Sequence, residues 1–233
     1  MRYQAIIFDL DGTLRVSRPR FMDALYDCAR SLGLPVDRDA WHRAERWVHY
    51  YWARSPELQY DLDEHGDEAL WLRFIHRLLH KAGHEATLEE AQQLVNTFAE
   101  TYHPESVLTP GVHETLQVLR PRGVTLGILS NRRDPFVEEL ENLGIHGYFD
   151  FVLAAGEVGI WKPDPGIFHA ALERAGNVPP ERALYVGDNY YADVQGARAA
   201  GMDVVLVNDR GIFEDADCPT VKDLRELLTL IDT

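Results

Sequence analysis

The spacing of the hydrophobic positions changes twice along this chain. A short apolar run at 5–8 predicts a buried strand, because strands covered on both faces are apolar at successive positions. From about residue 21 the apolar positions recur every three or four residues, which is typical of amphipathic helices. After residue 108, short apolar runs alternate with amphipathic stretches. The pattern predicts an α/β protein with a helical insertion after its first strand.

The insertion contains a series of amphipathic stretches, each with an apolar stripe along one face. Gly33 and Gly83 follow the first and the third stretch, as glycines often follow helices. Thr87 and Glu90 have the spacing of a capping box at the start of the last one. The polar, acidic segment 60–66 is expected to be a connection. The predicted helices lie at 21–32, 40–52, 70–79 and 87–102.

Strands and helices alternate through the second half of the chain. The predicted strands lie at 124–129, 151–154, 183–186 and 204–207, and the predicted helices at 135–143, 165–175, 190–200 and 221–231. This alternation predicts a doubly wound parallel sheet, of the Rossmann type, that includes the first strand. We expect residues 1–15 and 107–233 to form this α/β core. Residues 16–106 are expected to form an all-α cap domain over the strand ends.

The overall composition narrows the range of partners. Of the 233 residues, 45% are hydrophobic and 26% are charged, which is ordinary for a globular protein. A formal net charge of −15 argues against nucleic acid or an anionic membrane surface as a partner. No apolar run approaches the roughly 20 residues of a membrane span, and no signal-peptide pattern is evident. The two cysteines, Cys28 and Cys218, are far apart in the sequence, which favours a reducing cytoplasm as the location of the protein. A monomer or a homodimer is expected.

Two carboxylates follow the first predicted strand. Asp9 and Asp11 are one residue apart, so an extended backbone points both side chains the same way. The carboxyl end of a strand is where open α/β sheets bind ligands. Two facing carboxylates repel each other unless a cation relieves them, and hard oxygen ligands suit Mg²⁺. The alternative is a hairpin turn at Asp11-Gly12, since Asp-Gly is a strong hairpin signal.

Other polar residues occur where further predicted strands end. Ser130 and Asn131 follow one strand, and Asp188 follows another, with Asp193 five residues later. Lys162 lies in a Lys-Pro-Asp-Pro segment before a predicted helix. Taken singly, these residues have ordinary interpretations: a turn, a surface lysine and a carboxylate in the first turn of a helix. Their common position at carboxyl ends of strands indicates one site that contains acids, a hydroxyl and a cation.

These motifs resemble those of the haloacid dehalogenase superfamily of hydrolases, in the phosphatase branch with a helical cap of the C1 type. The run from Asp9 to Thr13 (Asp-Leu-Asp-Gly-Thr) is similar to the first family motif, and Ser130 to the second. Lys162 matches the third motif, and Asp188 with Asp193 the fourth. The resemblance covers the whole core in the family's order, whereas the cap matches only in being helical and in its position.

The resemblance implies a phosphatase that acts on a small phosphate ester through an aspartyl-phosphate. Asp9 would be the nucleophile, and Asp11 would protonate the leaving alcohol and then accept a proton from water. Mg²⁺ would be held by Asp9, the backbone carbonyl of Asp11 and Asp188. Asp193 would contribute directly or through water.

The resemblance also implies which groups would bind the substrate. Ser130 and Lys162 would hold the phosphoryl oxygens, with Lys162 also offsetting the charge of the nucleophile. Thr13 and Asn131, at the ends of their motifs, are expected to bind substrate as well.

Several other activities remain open. The dehalogenases of the superfamily lack the second acid of the first motif, so Asp11 favours a phosphate ester over a 2-haloacid. A sugar phosphomutase shares all of the motifs. A phosphorylatable switch module without hydrolytic turnover is the alternative from another class, although an acid-base residue such as Asp11 would shorten the life of its phosphoryl group.

The predicted cap contains candidate specificity residues. The spacing of Arg46, Tyr50 and Arg54 predicts one edge of the second cap helix. Arg18 and Arg20 precede the first cap helix. A solvated face beside a hydrophobic seam is the plainer interpretation of these residues.

A histidine series in the cap also has a spacing that would suit a metal. His76, His80 and His84 lie four residues apart. However, His84 follows the helix-ending Gly83, and no carboxylate partner is evident from the sequence. A zinc site is therefore not expected here.

Overall fold

The computed structural model describes residues 2–231 and divides the chain into two compact units. The first comprises residues 2–16 and 106–231, and the second comprises Ser17–Glu105. Each unit has its own hydrophobic core. No helix within 2–231 is long and apolar enough to cross a membrane. Cys28 and Cys218 are both free thiols.

The first unit is built on a six-stranded parallel sheet in the order β5-β4-β1-β6-β7-β8. β1 lies inside the sheet with β4 and β6 as parallel neighbours, which excludes the hairpin alternative for the Asp11-Gly12 turn. β2 and β3 form a separate two-stranded sheet that the sequence did not predict. The strands are Ala5–Phe8 (β1), Arg15–Arg18 (β2), Glu105–Leu108 (β3), Thr125–Ser130 (β4), Phe151–Ala154 (β5), Ala183–Gly187 (β6), Asp203–Val207 (β7) and Thr220–Val221 (β8).

Ten α-helices accompany these strands in the described chain. α1 to α4 belong to the second unit, and α5 to α10 to the first. They are Phe21–Ser31 (α1), Arg38–Trp52 (α2), Pro56–Lys81 (α3), Leu88–Thr101 (α4), Val112–Leu119 (α5), Val137–Asn142 (α6), Ala155–Val158 (α7), Pro165–Arg174 (α8), Gln195–Ala199 (α9) and Arg225–Ile231 (α10).

The sheet is covered on both faces, as a doubly wound fold requires. Ile6 and Phe8 of β1 pack in a core with residues of α5, α6 and α10. Ala5 and Ile7 point the other way, into a second core with residues of α8 and α9. Successive residues of β1 are therefore all buried, which is why the strand is apolar throughout. The predicted α/β fold class is confirmed.

The sequence revealed some, but not all, of the residues that begin and interrupt the helices of the second unit. Thr87 caps α4 in a capping box with Glu90, as predicted. The prediction of a connection at 60–66 is wrong for 60–65, which are helical, but the backbone does leave the helical region at Gly66 (φ 72°, ψ 172°), so α3 is two helices joined across a kink. Ser55 caps this helix, and its acidic Asp61 is buried in contact with Arg77, so polarity here marks a buried ion pair.

Several predicted boundaries in the first unit are also wrong. The helix predicted at 190–200 is confirmed as helical over 190–199, but its first part, Tyr190–Val194, is a π-helix that continues into the short α9. The predicted last helix begins at Arg225 rather than 221, because Thr220–Val221 pairs with β7 as an edge strand. The helix predicted at 135–143 is the shorter α6. α5 and α7 were not predicted.

Candidate active site

Three carboxylates converge at the carboxyl ends of β1 and β6. Asp9, Asp188 and Asp193 each offer one oxygen atom, and these oxygens all lie within 4.8 Å of one another. The backbone N–H of Asp9 donates to the carbonyl of Val186, which fixes the end of β1 against β6. The backbone N–H of Asn189 donates to Asp193 Oδ2 at 2.9 Å. The adjacent ends of two parallel strands thus form one acidic cluster.

Two glycines make room for these carboxylates. A Cβ atom at Gly12 would lie 2.1 Å from Asp188 Oδ2, and the φ angle of Gly12 is +92°. A Cβ atom at Gly187 would lie 2.4 Å from Asp193 Oδ2. Any larger residue at either position would displace a carboxylate of the cluster, so both glycines are required by close approach.

A buried lysine lies inside the acidic cluster. Lys162 is only 2% exposed, and its Nζ lies 2.6 Å from Asp9 Oδ1 and 2.6 Å from Asp193 Oδ1. Its third contact is to the hydroxyl oxygen of Tyr185, at 3.0 Å. An ammonium group has three N–H donors, so all three have partners here. The sequence prediction that Lys162 lies near Asp9 agrees with this geometry.

The backbone of Lys162 is held by Asn131. The side-chain oxygen of Asn131 accepts from the Lys162 N–H at 2.7 Å, and its amide group donates to the Lys162 carbonyl at 3.0 Å. Asn131 was predicted to bind substrate, but its side-chain amide is engaged in positioning the lysine. Tyr185, which was not predicted, donates from its hydroxyl to the Leu129 carbonyl at 3.1 Å. A tyrosine in an otherwise apolar strand is a signal for such a buried polar contact.

The charges of the cluster do not balance without a further cation. Burial and the nearby Asp193 and Asp11 raise the pKa of Asp9 to about 7, although Lys162 opposes the shift. Burial and the neighbouring carboxylates also raise the pKa of Asp188 well above its ordinary value. Three carboxylates face a single lysine, so the donor set carries excess negative charge. Hard oxygen donors with this excess fit a divalent ion such as Mg²⁺.

The other acid of the first motif faces a different partner. The carboxylate of Asp11 binds Arg132 through two bonds of 2.7 Å, from Nε and Nη2. Arg15 Nε lies 3.0 Å from Asp11 Oδ1. The side chain of Asp11 is 43% exposed and is not one of the three that converge. The motif resemblance implies that only the backbone carbonyl of Asp11 would bind a metal, which does not require its side chain to join the cluster.

Arg132 was not predicted, and it anchors a small ion network. It contacts Glu139 through Nη1, and Arg15 Nε lies 3.0 Å from Glu139 Oε1. Ser106 donates to the same carboxylate at 2.6 Å. Burial lowers the pKa of Arg132, but the bonds to Asp11 and Glu139 outweigh it and raise the pKa overall.

The two predicted hydroxyl groups are buried in the first unit. Ser130 is the last residue of β4 and is 2% exposed. Thr13 is fully buried, and its carbonyl accepts from Thr109 Oγ1 at 2.5 Å. The Thr13 hydroxyl has no hydrogen-bond partner within residues 2–231.

The candidate specificity residues all lie in or at the edge of the second unit. Arg46 and Tyr50 are on α2, as predicted. Arg54 is not, because α2 ends at Trp52 and Arg54 has a left-handed φ of 58°. The predicted edge formed by three residues of one helix is therefore wrong for Arg54. Arg18 ends β2, and Arg20 is the residue that precedes α1.

Removing the buried lysine should destabilise the protein strongly. Lys162→Met leaves Asp9 and Asp193 without their cation, and breaking a buried ion pair costs roughly 3–5 kcal/mol. We expect urea unfolding to show a loss of about 3 kcal/mol at about pH 8, and less at about pH 6, where protonation of Asp9 replaces the lost charge. Lys222→Met, at an exposed lysine, is the matched control. A loss that did not exceed the control's would contradict this account of the cluster.

A doubly wound parallel sheet whose central strands end in carboxylates around a buried lysine defines an α/β enzyme with an acidic active site. The family model for haloacid dehalogenase-like hydrolases matches residues 3–201. Human haloacid dehalogenase-like hydrolase domain-containing protein 3 is 35% identical over 214 residues, which are 89% of this chain and 82% of the relative. The phosphoserine phosphatase of Thermus thermophilus is 34% identical over 249 residues, 95% of this chain and 96% of the relative.

Solved structures agree with the sequence matches. The 2-haloacid dehalogenase of Pseudomonas syringae pv. Tomato is 30% identical, with a TM-score of 0.58 over 99% of this chain and 98% of that one. This chain therefore belongs to the haloacid dehalogenase-like hydrolases. The family resemblance drawn from the sequence motifs is confirmed.

Proposed function

We propose that this hydrolase is a Mg²⁺-dependent phosphatase that hydrolyses a small phosphorylated metabolite through an aspartyl-phosphate on Asp9. The observation that carries the proposal is the bond between Asp9 Oδ1 and Lys162 Nζ inside an acidic cluster at the carboxyl edge of the sheet. The phosphatase relative of similar length adds support for a phosphate ester.

Asp9 is the proposed nucleophile. Lys162 binds one oxygen of its carboxylate at 2.6 Å and orients it, so that the other oxygen is available to attack phosphorus. The bond from phosphorus to the ester oxygen breaks as the bond to Asp9 forms. Water then attacks the aspartyl-phosphate, and inorganic phosphate leaves with the carboxylate of Asp9 restored. The roles of Ser130 and Thr13 in this scheme are to donate hydroxyl hydrogen bonds to the phosphoryl oxygens.

The acidic cluster would hold the metal ion. Asp9, Asp188 and Asp193 supply the carboxylate oxygens, and the backbone carbonyl of Asp11 would complete the protein's share. When bound, Mg²⁺ neutralises charge on the transferring phosphoryl group. Lys162 contributes a positive charge to this cluster through its bonds to Asp9 and Asp193.

Asp11 is the proposed acid and base. The carboxylate that Arg132 contacts through two bonds of 2.7 Å is the form that accepts a proton from the attacking water. Protonating the leaving alcohol requires the protonated acid, so the bonds between Asp11 and Arg132 must break or lengthen during the first half of the reaction. Glu139, which already contacts Arg132 and Arg15, remains as their counter-ion when it does.

Asp11 also distinguishes the proposed phosphatase from a 2-haloacid dehalogenase. Dehalogenase activity is the alternative to consider because the chain is similar to a 2-haloacid dehalogenase. Halide leaves without a proton, so a dehalogenase has no use for an acid at this position, whereas an alcohol leaving group does. A phosphomutase would use the same groups and differs only in the final acceptor.

Substrate selection is assigned, within the same proposal, to the helical unit Ser17–Glu105 acting as a cap domain. Arg18, Arg20, Arg46, Tyr50 and Arg54 are its candidate contacts. The proposed partner is a small phosphate ester, with no nucleic acid or membrane partner, in a cytoplasmic monomer or homodimer.

Phosphate release from p-nitrophenyl phosphate tests the function. We expect multiple turnovers with Mg²⁺ and a loss of at least about 100-fold in EDTA, restored by added Mg²⁺. Chloride release from 2-chloropropionate is measured in parallel. A single turnover would support the switch module, and chloride release without phosphatase activity would support the dehalogenase. Activity that is unchanged in EDTA would contradict the metal requirement.

Magnesium should stabilise the protein in a pH-dependent way. Folding raises the pKa of Asp9 from 3.8 to about 7. The free energy of unfolding of the metal-free protein therefore falls as the pH rises between these two values, because the folded state resists ionisation of Asp9. Metal binding needs ionised ligands and offsets this loss. We expect saturating Mg²⁺ to raise Tm by about 5 °C at about pH 8 and little at about pH 5.

Thermal unfolding in Mg²⁺ and in EDTA at both pH values measures this effect. The matched variant is Asp188→Asn, in which the Mg²⁺-induced rise in Tm should disappear. Equal rises at the two pH values, or a rise that survives in Asp188→Asn, would show that magnesium binds elsewhere.

A further inference from the structure

Two histidines and one backbone carbonyl converge on a single point in the helical unit. His76 and His80 lie one turn apart on α3, and their Nε2 atoms are 3.3 Å apart. The carbonyl oxygen of Ala86, in the segment that leads to α4, lies 3.0 Å from His76 Nε2 and 3.1 Å from His80 Nε2. These three potential ligand atoms form a nearly equilateral triangle.

Two neutral rings at this point leave one nitrogen lone pair facing the Ala86 carbonyl. His80 Nδ1 lies 3.1 Å from Glu85 Oε2, so His80 faces an acceptor on both of its nitrogens. His76 Nε2 faces the Ala86 carbonyl as well. Two neutral imidazoles carry two N–H protons for these three acceptor contacts. If His80 Nδ1–H donates to Glu85 and His76 Nε2–H to Ala86, the Nε2 lone pair of His80 faces the same carbonyl at 3.1 Å, an arrangement that a bound metal ion or a third proton would relieve.

The spacing suits a metal ion. Ligand atoms that each lie about 2.0–2.1 Å from a tetrahedral zinc ion are about 3.3 Å apart, which is close to the three edges of this triangle. Glu85 would accept the Nδ1–H of His80 and leave its Nε2 lone pair for the metal, as carboxylates commonly do behind metal-binding histidines. A cavity of about 420 Å³, lined in part by both histidines, leaves room for water ligands.

We propose that His76 Nε2, His80 Nε2 and the carbonyl oxygen of Ala86 bind a divalent transition-metal ion of the zinc type. The ion joins the end of α3 to the segment that leads to α4. Imidazole nitrogens select zinc, nickel or copper over magnesium, so this site differs in metal preference from the carboxylate cluster of the core unit.

The surrounding charges are compatible with a cation. Burial and the neighbouring His80 lower the pKa of His76, which favours the neutral ring that a metal requires. Arg73, Arg77 and Lys81 line the same cavity, and Lys81 Nζ lies 3.8 Å from Glu57 Oε1. Arg77 is neutralised by Asp61 through bonds of 2.7 and 2.9 Å, and Glu85 supplies a further negative charge.

The structure also changes which histidines belong to the site. The regular spacing of the sequence included His84, but His84 Nε2 lies 3.5 Å from Glu90 Oε1 instead. The missing carboxylate partner, which argued against a zinc site, is supplied by Glu85. His84 is therefore a matched control within the same histidine series.

Zinc titration against a competing chromophoric chelator, with Mg²⁺ in excess, tests the proposal in the full-length protein. We expect His76→Gln and His80→Gln each to weaken zinc binding at this site by at least about tenfold, and His84→Gln to leave it unchanged. Nitrogen NMR of the histidine rings in the unmodified protein is the second measurement. Zinc should shift the Nε2 resonances of His76 and His80 and leave Nδ1 of His80 protonated.

Three results would overturn the proposal. The first is the absence of any zinc-dependent shift of the His76 and His80 Nε2 resonances. The second is zinc affinity that is the same in His76→Gln and His80→Gln as in the unmodified protein. The third is a loss of affinity in His84→Gln equal to that in the other two variants. In the first case, His76 and His80 bind a third proton instead of a metal ion and only donate hydrogen bonds to the Ala86 carbonyl.

Discussion

Asp9→Asn is expected to lower the kcat for phosphate-ester hydrolysis by at least about 10⁴-fold, the scale seen when a covalent nucleophile is removed. The amide cannot form an acyl-phosphate, so only the slow direct attack of water on the bound ester remains. Asparagine has nearly the same size and keeps an oxygen to face Lys162, so the fold should survive. Stopped assays of phosphate release from p-nitrophenyl phosphate and from an alkyl phosphate measure the effect.

The fold of the variant can be tested independently of its activity. Removing one negative charge beside Asp188 relieves repulsion in the buried cluster, because Asp9 is a main cause of the raised pKa of Asp188 after burial itself. Asp9→Asn should therefore unfold at a temperature equal to or above that of the unmodified protein without Mg²⁺. A variant that retained a tenth or more of the activity would show that Asp9 is not the nucleophile.

Asp11→Asn is expected to lower kcat/KM, which reports on the step that expels the alcohol, by about 10²–10⁴-fold for an alkyl phosphate and by much less for p-nitrophenyl phosphate. An alkoxide is a poor leaving group and needs the proton of Asp11, whereas p-nitrophenolate leaves without one. Because the side chain of Asp11 lies outside the converging carboxylates, Mg²⁺ should still raise Tm in this variant. The measurement is the ratio of the kcat/KM values for the alkyl and the p-nitrophenyl ester. An equal loss for both esters would show that Asp11 does not act as the acid.

A substitution at Arg132 provides a second test of the protonation of the leaving alcohol by Asp11. Arg132→Gln removes two bonds from the Asp11 carboxylate, so it should change the ratio of alkyl to aryl ester hydrolysis. This effect should vanish when Asp11 is already asparagine, because the arginine acts through that side chain. Arg133→Gln, at the exposed neighbouring residue, should leave the ratio unchanged.

The core of the fold followed from local patterns joined by one rule of topology. The strands were visible as short apolar runs, and parallel strands present their carboxyl ends at one edge. Asp9 and Asp188 could therefore be predicted to lie close together although they are far apart in the chain. Lys162 came from the family motif, because a lysine in a proline-rich loop is ordinarily a surface residue.

The rest of the candidate site depends on partners that no local pattern reveals. Arg132 and Asp11 are 121 positions apart, and nothing near either residue indicates their pairing. Asp61 was taken for part of a polar connection because its partner Arg77 lies 16 positions away on the same helix, beyond the kink. Tyr185 acts through Lys162, so its role was visible only once the lysine was placed.

Acid quenching during turnover of an ester with a radiolabelled phosphoryl group tests the central claim most directly. The proposal predicts a label that is stable in acid, is released by hydroxylamine and is carried by the peptide that contains Asp9. With p-nitrophenyl phosphate as the ester, Asp11→Asn should increase the labelled fraction, because it slows the attack of water on the aspartyl-phosphate more than it slows its formation. If an actively hydrolysing enzyme carried no label, or carried it on a residue other than Asp9, the account would be contradicted.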